Sequence, residues 1–176
     1  MALTNKPKPL NLAYMIGLIA APVLHGIETA AQTFKKGAPL INTDAAGTMT
    51  ESTSPIDASA VGKRTLGLAL NDATGVTSKD IPFAVAGEHT VFEGTLSDAT
   101  AGTHTLAQAD VWETFPLVKD GTFSTGNWYI DANAEADAGG ALIVGLKDPV
   151  GTVDGRVFFI ITTPARGTSS PGSANI

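Results

Sequence analysis

Two apolar runs near the C-terminus, Leu142–Leu146 and Val157–Ile161, constrain this chain more than any other feature. Between them lies a segment dense in turn chemistry: Asp148-Pro149, Gly151 and Asp154-Gly155. Proline presets one backbone φ, and glycine accepts the positive φ that a tight reversal needs. The runs are too short and too rich in β-branched and aromatic residues for helix, so they predict two central strands of a hairpin. Neither run alternates cleanly, which predicts burial on both faces, as in a barrel or sandwich core. Asp148, Pro149, Gly151, Asp154 and Gly155 are then structural turn residues, with Gly155 at positive φ.

The rest of the chain repeats the theme. Leu66, Leu68 and Leu70 share one face of a strand over Thr65–Leu70, while Gly67 and Ala69 leave room for close packing behind it. Ile81, Phe83 and Val85 line one face of another strand, and Val91–Leu96 supplies a further one. Phe34–Asn42 reads as a strand interrupted at Gly37 and Pro39, hence at an edge. Thr48–Glu51 is a short return strand, and Asn127–Asp131 carries two large aromatics. Phe115–Lys119, Asp120-Gly121 and Thr122-Phe123 form a candidate hairpin. One short helix is expected over Leu106–Trp112, with Thr105 and Gln108 as its capping box and Phe115-Pro116 as its stop.

Charged residues are 16% and aromatics 6%, while 19 glycines and 10 prolines punctuate the chain. That profile favours short strands and turns. At 176 residues one main core is expected. The fold class is therefore mostly β: a small antiparallel barrel or sandwich over residues 32–165. An extended or partly helical N-terminal arm precedes it at 1–31, and a Gly/Ser/Pro tail follows at 166–176. There is no cysteine, which excludes disulfides and thiolate chemistry.

The arm is a nearly unbroken apolar run behind Lys6, Pro7, Lys8 and Pro9. Leu10, Leu12, Tyr14, Met15, Ile16, Leu18 and Ile19 are too apolar to leave in water, and the run is too short to span a membrane. Three readings compete: an arm that buries itself against another subunit, a helix of the chain's own core, and a targeting segment. The first is preferred, with those seven residues as the partner-binding set. Residues 1–40 carry four lysines against one glutamate, while the remainder carries 7 basic and 16 acidic residues. So acidic a body disfavours nucleic acid as a partner, and the basic start suits an acidic protein surface.

Catalytic and metal chemistry find little support. His25, His89 and His104 lack the spacing of zinc ligands. Asp72, Asp80, Glu88, Glu93, Asp98, Asp110 and Glu113 are scattered in a way that suits a solvated surface. No nucleophile elbow, phosphate loop or dinucleotide fingerprint occurs. Hence no catalytic residue, metal or cofactor is assigned, and the chain reads as a non-enzyme. Trp128 and Tyr129 point to opposite faces of a strand, so one can be core while the other meets a neighbour; core for both is the preferred reading.

The turn segment Asp148-Pro149-Val150-Gly151-Thr152-Val153-Asp154-Gly155-Arg156-Val157, followed by an apolar strand, resembles the C-terminal signature of tailed-phage head decoration, or capsid cement, proteins. Thr33-Phe34-Lys35-Lys36-Gly37-Ala38-Pro39-Leu40, Thr65–Leu70 and Val91–Leu96 recur in the same order in that family. The resemblance spans about residues 30–165 and implies a structural virion protein on the outer capsid surface, made in the host cytoplasm. It implies a homotrimer that binds the major capsid protein and reinforces its subunit contacts, without membrane association. The long apolar start departs from the family. A secreted or surface-displayed β module, an adhesin or carbohydrate binder with Met1–Ala21 as export signal, is the alternative.

Overall fold

The computed structural model describes residues 6–15, 22–29, 32–42, 48–52, 56, 65–100, 102–121, 125–133, 139–162 and 165–166. In chain order the strands are β1 (Asn11–Met15), β2 (Val23–Glu28), β3 (Pro39–Asn42), β4 (Thr48–Glu51), β5 (Thr65–Ala69) and β6 (Asp80–Val85). There follow β7 (Thr90–Ser97), β8 (Thr114–Phe115), β9 (Leu117–Lys119), β10 (Trp128–Asp131), β11 (Ala141–Leu146) and β12 (Arg156–Ile161). The mostly-β expectation is met.

Five strands close a barrel in the order β2-β4-β3-β5-β6, with β6 returning to β2. The others form a seven-stranded sheet, β8-β11-β12-β7-β10-β9, with β1 also on β7. Pairing is antiparallel except for β2 with β4 and β10 with β7. One hydrophobic cluster runs through both units, from Leu40, Leu68 and Ile81 in the barrel to Phe92, Trp128, Ile143 and Phe159 in the sheet. Glu51 of β4 ties them together: its carboxylate accepts the Trp128 indole N–H at 2.8 Å and the Lys119 ammonium at 2.7 Å.

The described part of the N-terminal segment is extended, as expected, and pairs with the rest of the chain. Leu10 is 1% exposed, β1 pairs with β7, and β2 is a stave of the barrel. Two glycines make room for Leu10. A Cβ on Gly37 (φ +86°) would stand 2.3 Å from the Leu10 carbonyl oxygen, and one on Gly94 would stand 2.7 Å from Leu10 Cδ2. The described part of the apolar run, residues 10–15, is thus paired with the chain's own sheet in extended form, and residues 16–21 lie outside the described residues.

Other expectations change for similar reasons. Pro39 is not at an edge: β3 lies between β4 and β5 in a closed cylinder, which has no edge. As the first residue of its strand, proline forfeits little there, and its carbonyl accepts Ser52 N–H at 2.8 Å. The C-terminal strands are not equally buried on both faces: Val157, Phe159 and Ile161 are fully buried, Phe158 and Ile160 half-buried. The one short helix expected within Leu106–Trp112 is a single 3-10 turn, Gln108–Asp110. Its box is closed by Asp110, whose carboxylate accepts Ala107 N–H at 2.8 Å, while Thr105 bridges to Val153. The strand that returns along β9 is β10. Thr122 and Phe123 lie outside the described residues, as do the turn at 43–47 and most of the loop at 52–62.

Candidate functional site

The turn between β11 and β12 is held by charge. The two oxygens of Asp148 take the Arg156 guanidinium at 2.9 Å (Nη2) and 3.2 Å (Nε), and Oδ2 also accepts Arg156 N–H at 2.9 Å. Arg156 reaches Glu93 on β7 at 3.3 Å, and Lys147 pairs with the same carboxylate. The Arg156 side chain hydrogen-bonded to Asp148 holds that carboxyl below the usual carboxylate range and pushes Arg156 upward in turn. Such paired, charge-assisted contacts fix the strand ends more firmly than neutral bonds do.

Asp154, not Gly155, adopts the positive φ, at +49°. Aspartate tolerates that region because its short polar side chain bonds locally. Its Oδ1 accepts Ser97 Oγ–H at 2.8 Å and His104 N–H at 2.9 Å. Gly155 is required for space: a Cβ would stand 2.5 Å from Leu106 Cδ1. Gly151 has φ +89° and donates its N–H to the Leu106 carbonyl at 2.8 Å. The turn therefore folds onto the 104–106 segment and presents Val150 and Val153 to solvent.

Trp112 stands out on the same sheet. It is 70% exposed and has φ +77°, where bulky side chains are rare. Its N–H donates to the Ile143 carbonyl at 2.8 Å, and Ile143 N–H returns a bond to Glu113 O at 3.0 Å. Those bonds hold the unfavourable backbone in place. A conformation of this kind costs about 1–3 kcal/mol and persists only where its surroundings impose it. Reading the segment as helix concealed this residue. The signal available was an aromatic just ahead of Phe115-Pro116, where no regular element can continue.

Of the seven expected partner-binding residues, the structure describes the side chains of Leu10 and Leu12. Leu10 is core, and Leu12 packs partly buried against it. Tyr14 and Met15 are strand partners of Val91 and Thr90. Ile16, Leu18 and Ile19 lie outside the described residues. Exposed apolar side chains do occur beside the segment, at Val23, Leu24 and Ile27 of β2 and at Val76. Both large aromatics of β10 are buried, Trp128 at 1% and Tyr129 at 4%, so neither faces a neighbour. Burial, aided by Asp131, pushes the Tyr129 phenol up.

The titratable groups are dispersed. His104 Nε2 lies 3.0 Å from Asp110 Oδ2, whereas His25 and His89 are exposed. Ser97 bonds Asp154 instead of a histidine, so no nucleophilic triad forms among these groups. Asp72 accepts Lys36 N–H at 2.8 Å and Lys35 Nζ at 3.1 Å, which keeps its carboxyl low. Among the described residues no three His, Asp or Glu side chains converge as metal ligands. Compared with protein-family models, curated proteins and solved structures, the chain matches none.

Proposed function

We propose that this protein is a structural component of a phage virion, a decoration protein that binds the outside of the capsid and reinforces contacts between major capsid protein subunits. The observation that carries the reading is Trp112, an exposed indole kept in a left-handed backbone conformation by two bonds to β11. Tryptophan is the residue most enriched at the energetic centres of protein interfaces, and a pre-set backbone lowers the entropy lost on docking. Further support comes from the ordered segments that resemble the cement family. Phe34–Leu40 supplies Gly37, which seats Leu10, and Asp148–Arg156 forms the ion-clamped turn.

Two groups of exposed apolar residues suit a molecule that bridges neighbours. Val23, Leu24 and Ile27 sit on the barrel, and Trp112, Val150 and Val153 on the sheet. The test is co-sedimentation with empty, expanded capsids of the cognate major capsid protein, at matched concentrations. Trp112→Ala should weaken attachment about 30-fold or more, the scale of an interface hot spot, without lowering the melting temperature. Undiminished attachment removes Trp112 from the contact. Failure of the unaltered chain to co-sediment rejects the decoration role.

A further inference from the structure

A cleft of ≈ 360 Å³ opens beside the β11–β12 turn, between that turn and the N-terminal segment. Lys6, Lys8, Thr95, Thr152 and Arg156 line it, together with the carboxylates of Asp148 and Asp154. Thr95 and Arg156 are direct cross-strand partners on β7 and β12, so their side chains share one face of the sheet. We infer that this cleft is a carboxylate-binding site that takes a short acidic peptide segment of another protein.

The carboxylates and the guanidinium of the cleft are already matched. Asp148 is committed to Arg156 through both oxygens, and Asp154 Oδ1 to Ser97 and His104. Arg156 is balanced by Asp148 and Glu93. Neither Lys6 nor Lys8 forms an ion pair with any described residue, although Lys8 lies near enough to help depress Asp148. Thr95, 6% exposed, lines the cleft together with Thr152. Two ammonium groups and two threonine hydroxyls offer donors; the acidic groups present are spent. The unmet chemistry is therefore that of an anion.

Shape and field choose among anions. The volume equals about twelve waters of liquid, room for one or two carboxylate side chains and their backbone. A nucleic acid would extend beyond the cleft onto a chain of net charge −6 and meet repulsion there. A short acidic stretch of protein stays within the local positive field, whose reach is about 8 Å at physiological salt. This inference does not depend on the capsid reading, since any acidic partner would meet the same donors.

The probe is acetyl-tetraglutamate-amide, titrated calorimetrically into the full chain at low salt, with tetraglutamine and inorganic phosphate as comparisons. Saturable binding of tetraglutamate is expected, weakened about tenfold or more in Lys6→Gln/Lys8→Gln and several-fold in Thr95→Val, with rising salt acting in the same direction. Both lysines are exposed, so the double variant should keep the melting temperature of the parent and carries the test even where Thr95→Val fails to fold. The inference is overturned by absence of tetraglutamate binding or by equal binding of tetraglutamine. Affinity unchanged in the lysine variant also overturns it. So does displacement of the peptide by phosphate at equal concentration, which would mark a site for small anions alone.

Discussion

The barrel and the seven-stranded sheet solve the same problem, burial of short apolar strands, with different materials. The barrel closes on itself and packs with small residues. A Cβ on Gly67 would lie 1.9 Å from the Ala84 carbonyl oxygen, and one on Gly26 would lie 1.5 Å from Met49 Sδ. Its buried carboxylate, Glu28 at 1% exposure, holds the loop after β5 by accepting Thr74 N–H, Thr74 Oγ1–H and Gly75 N–H. The sheet is built on large side chains: Trp128, Phe92 and Phe159 are the largest fully buried side chains among the described residues, and the two phenylalanine rings sit 5.8 Å apart. Its outer face carries charge, with Glu93 between Lys147 and Arg156. A closed cylinder leaves no strand edge to protect, whereas an open sheet relies on bulk within and on ion pairs outside.

Four experiments test that contrast. The largest effect is expected from removal of residues 1–15, since Leu10 is packed between barrel and sheet and β1 pairs with β7. Loss of a buried leucine alone costs about 2–5 kcal/mol, against a total stability of about 5–15 kcal/mol. The shortened chain should lose its cooperative melting transition. Retained melting near the parent temperature would return these residues to the status of a dispensable arm.

Gly67→Ala and Gly155→Val compare the two packing modes directly. In the barrel the obstacle is backbone, which cannot turn aside, so Gly67→Ala should cost about 4 kcal/mol or more, in the exceptional range for a single substitution. In the sheet the obstacle is the Leu106 side chain, which can move, and Gly155→Val should cost about 1–3 kcal/mol. Denaturant titration orders the two; a reversed order would contradict the contrast between backbone and side-chain obstacles.

Glu51→Ala cuts the tie between the units. The Trp128 indole N–H is left buried without its acceptor, at a cost of about 1–3 kcal/mol. Tryptophan fluorescence and far-ultraviolet circular dichroism should still report one transition, because the hydrophobic cluster is shared. Two separated transitions would show the carboxylate to be the principal link.

The smallest effect concerns acid. Arg156 lowers the folded-state pKa of Asp148, so the stabilisation from this pair is fully present above the unfolded value of about 3.9. It is lost as the pH falls through the lower folded value. For a largely surface pair the magnitude is about 1 kcal/mol or less. Asp148→Asn should flatten this part of the stability profile below about pH 4, and an unchanged slope would place the acid sensitivity elsewhere. Asp72, on the barrel side, is lowered chiefly by Lys36 N–H and is more exposed, so Asp72→Asn should change the slope less.

Much of the strand inventory was legible because its cues are local. The alternation of Ile81, Phe83 and Val85, the small Gly67 behind the Leu66–Leu70 row, and the turn chemistry of 148–155 act within a few residues. The structure realises each of them nearly where it was expected. The candidate site was far less legible. Lys6 and Lys8 meet Thr95 and Thr152 across many residues of chain, and no spacing in the sequence announces that meeting. Trp112 lay hidden for another reason: a box at Thr105 and Gln108 suggested helix, while the chain instead left Thr105 to bridge Val153 and tightened at Asp110. Local bonding options compete, and the winner is set by what lies across the gap.

By itself the sequence determined that the chain would be short strands joined by Gly, Pro and Asp turns, because period-two patterning and backbone permissiveness are properties of neighbouring residues. The tertiary structure alone decided which strands would meet. It set β2 beside β4 and β10 beside β7 in parallel, closed the barrel without an edge, and drew Leu10 into the gap left by Gly37 and Gly94. Pairing between distant strands depends on matching buried faces and volumes that exist only once the rest of the chain is in place. No local window contains that information.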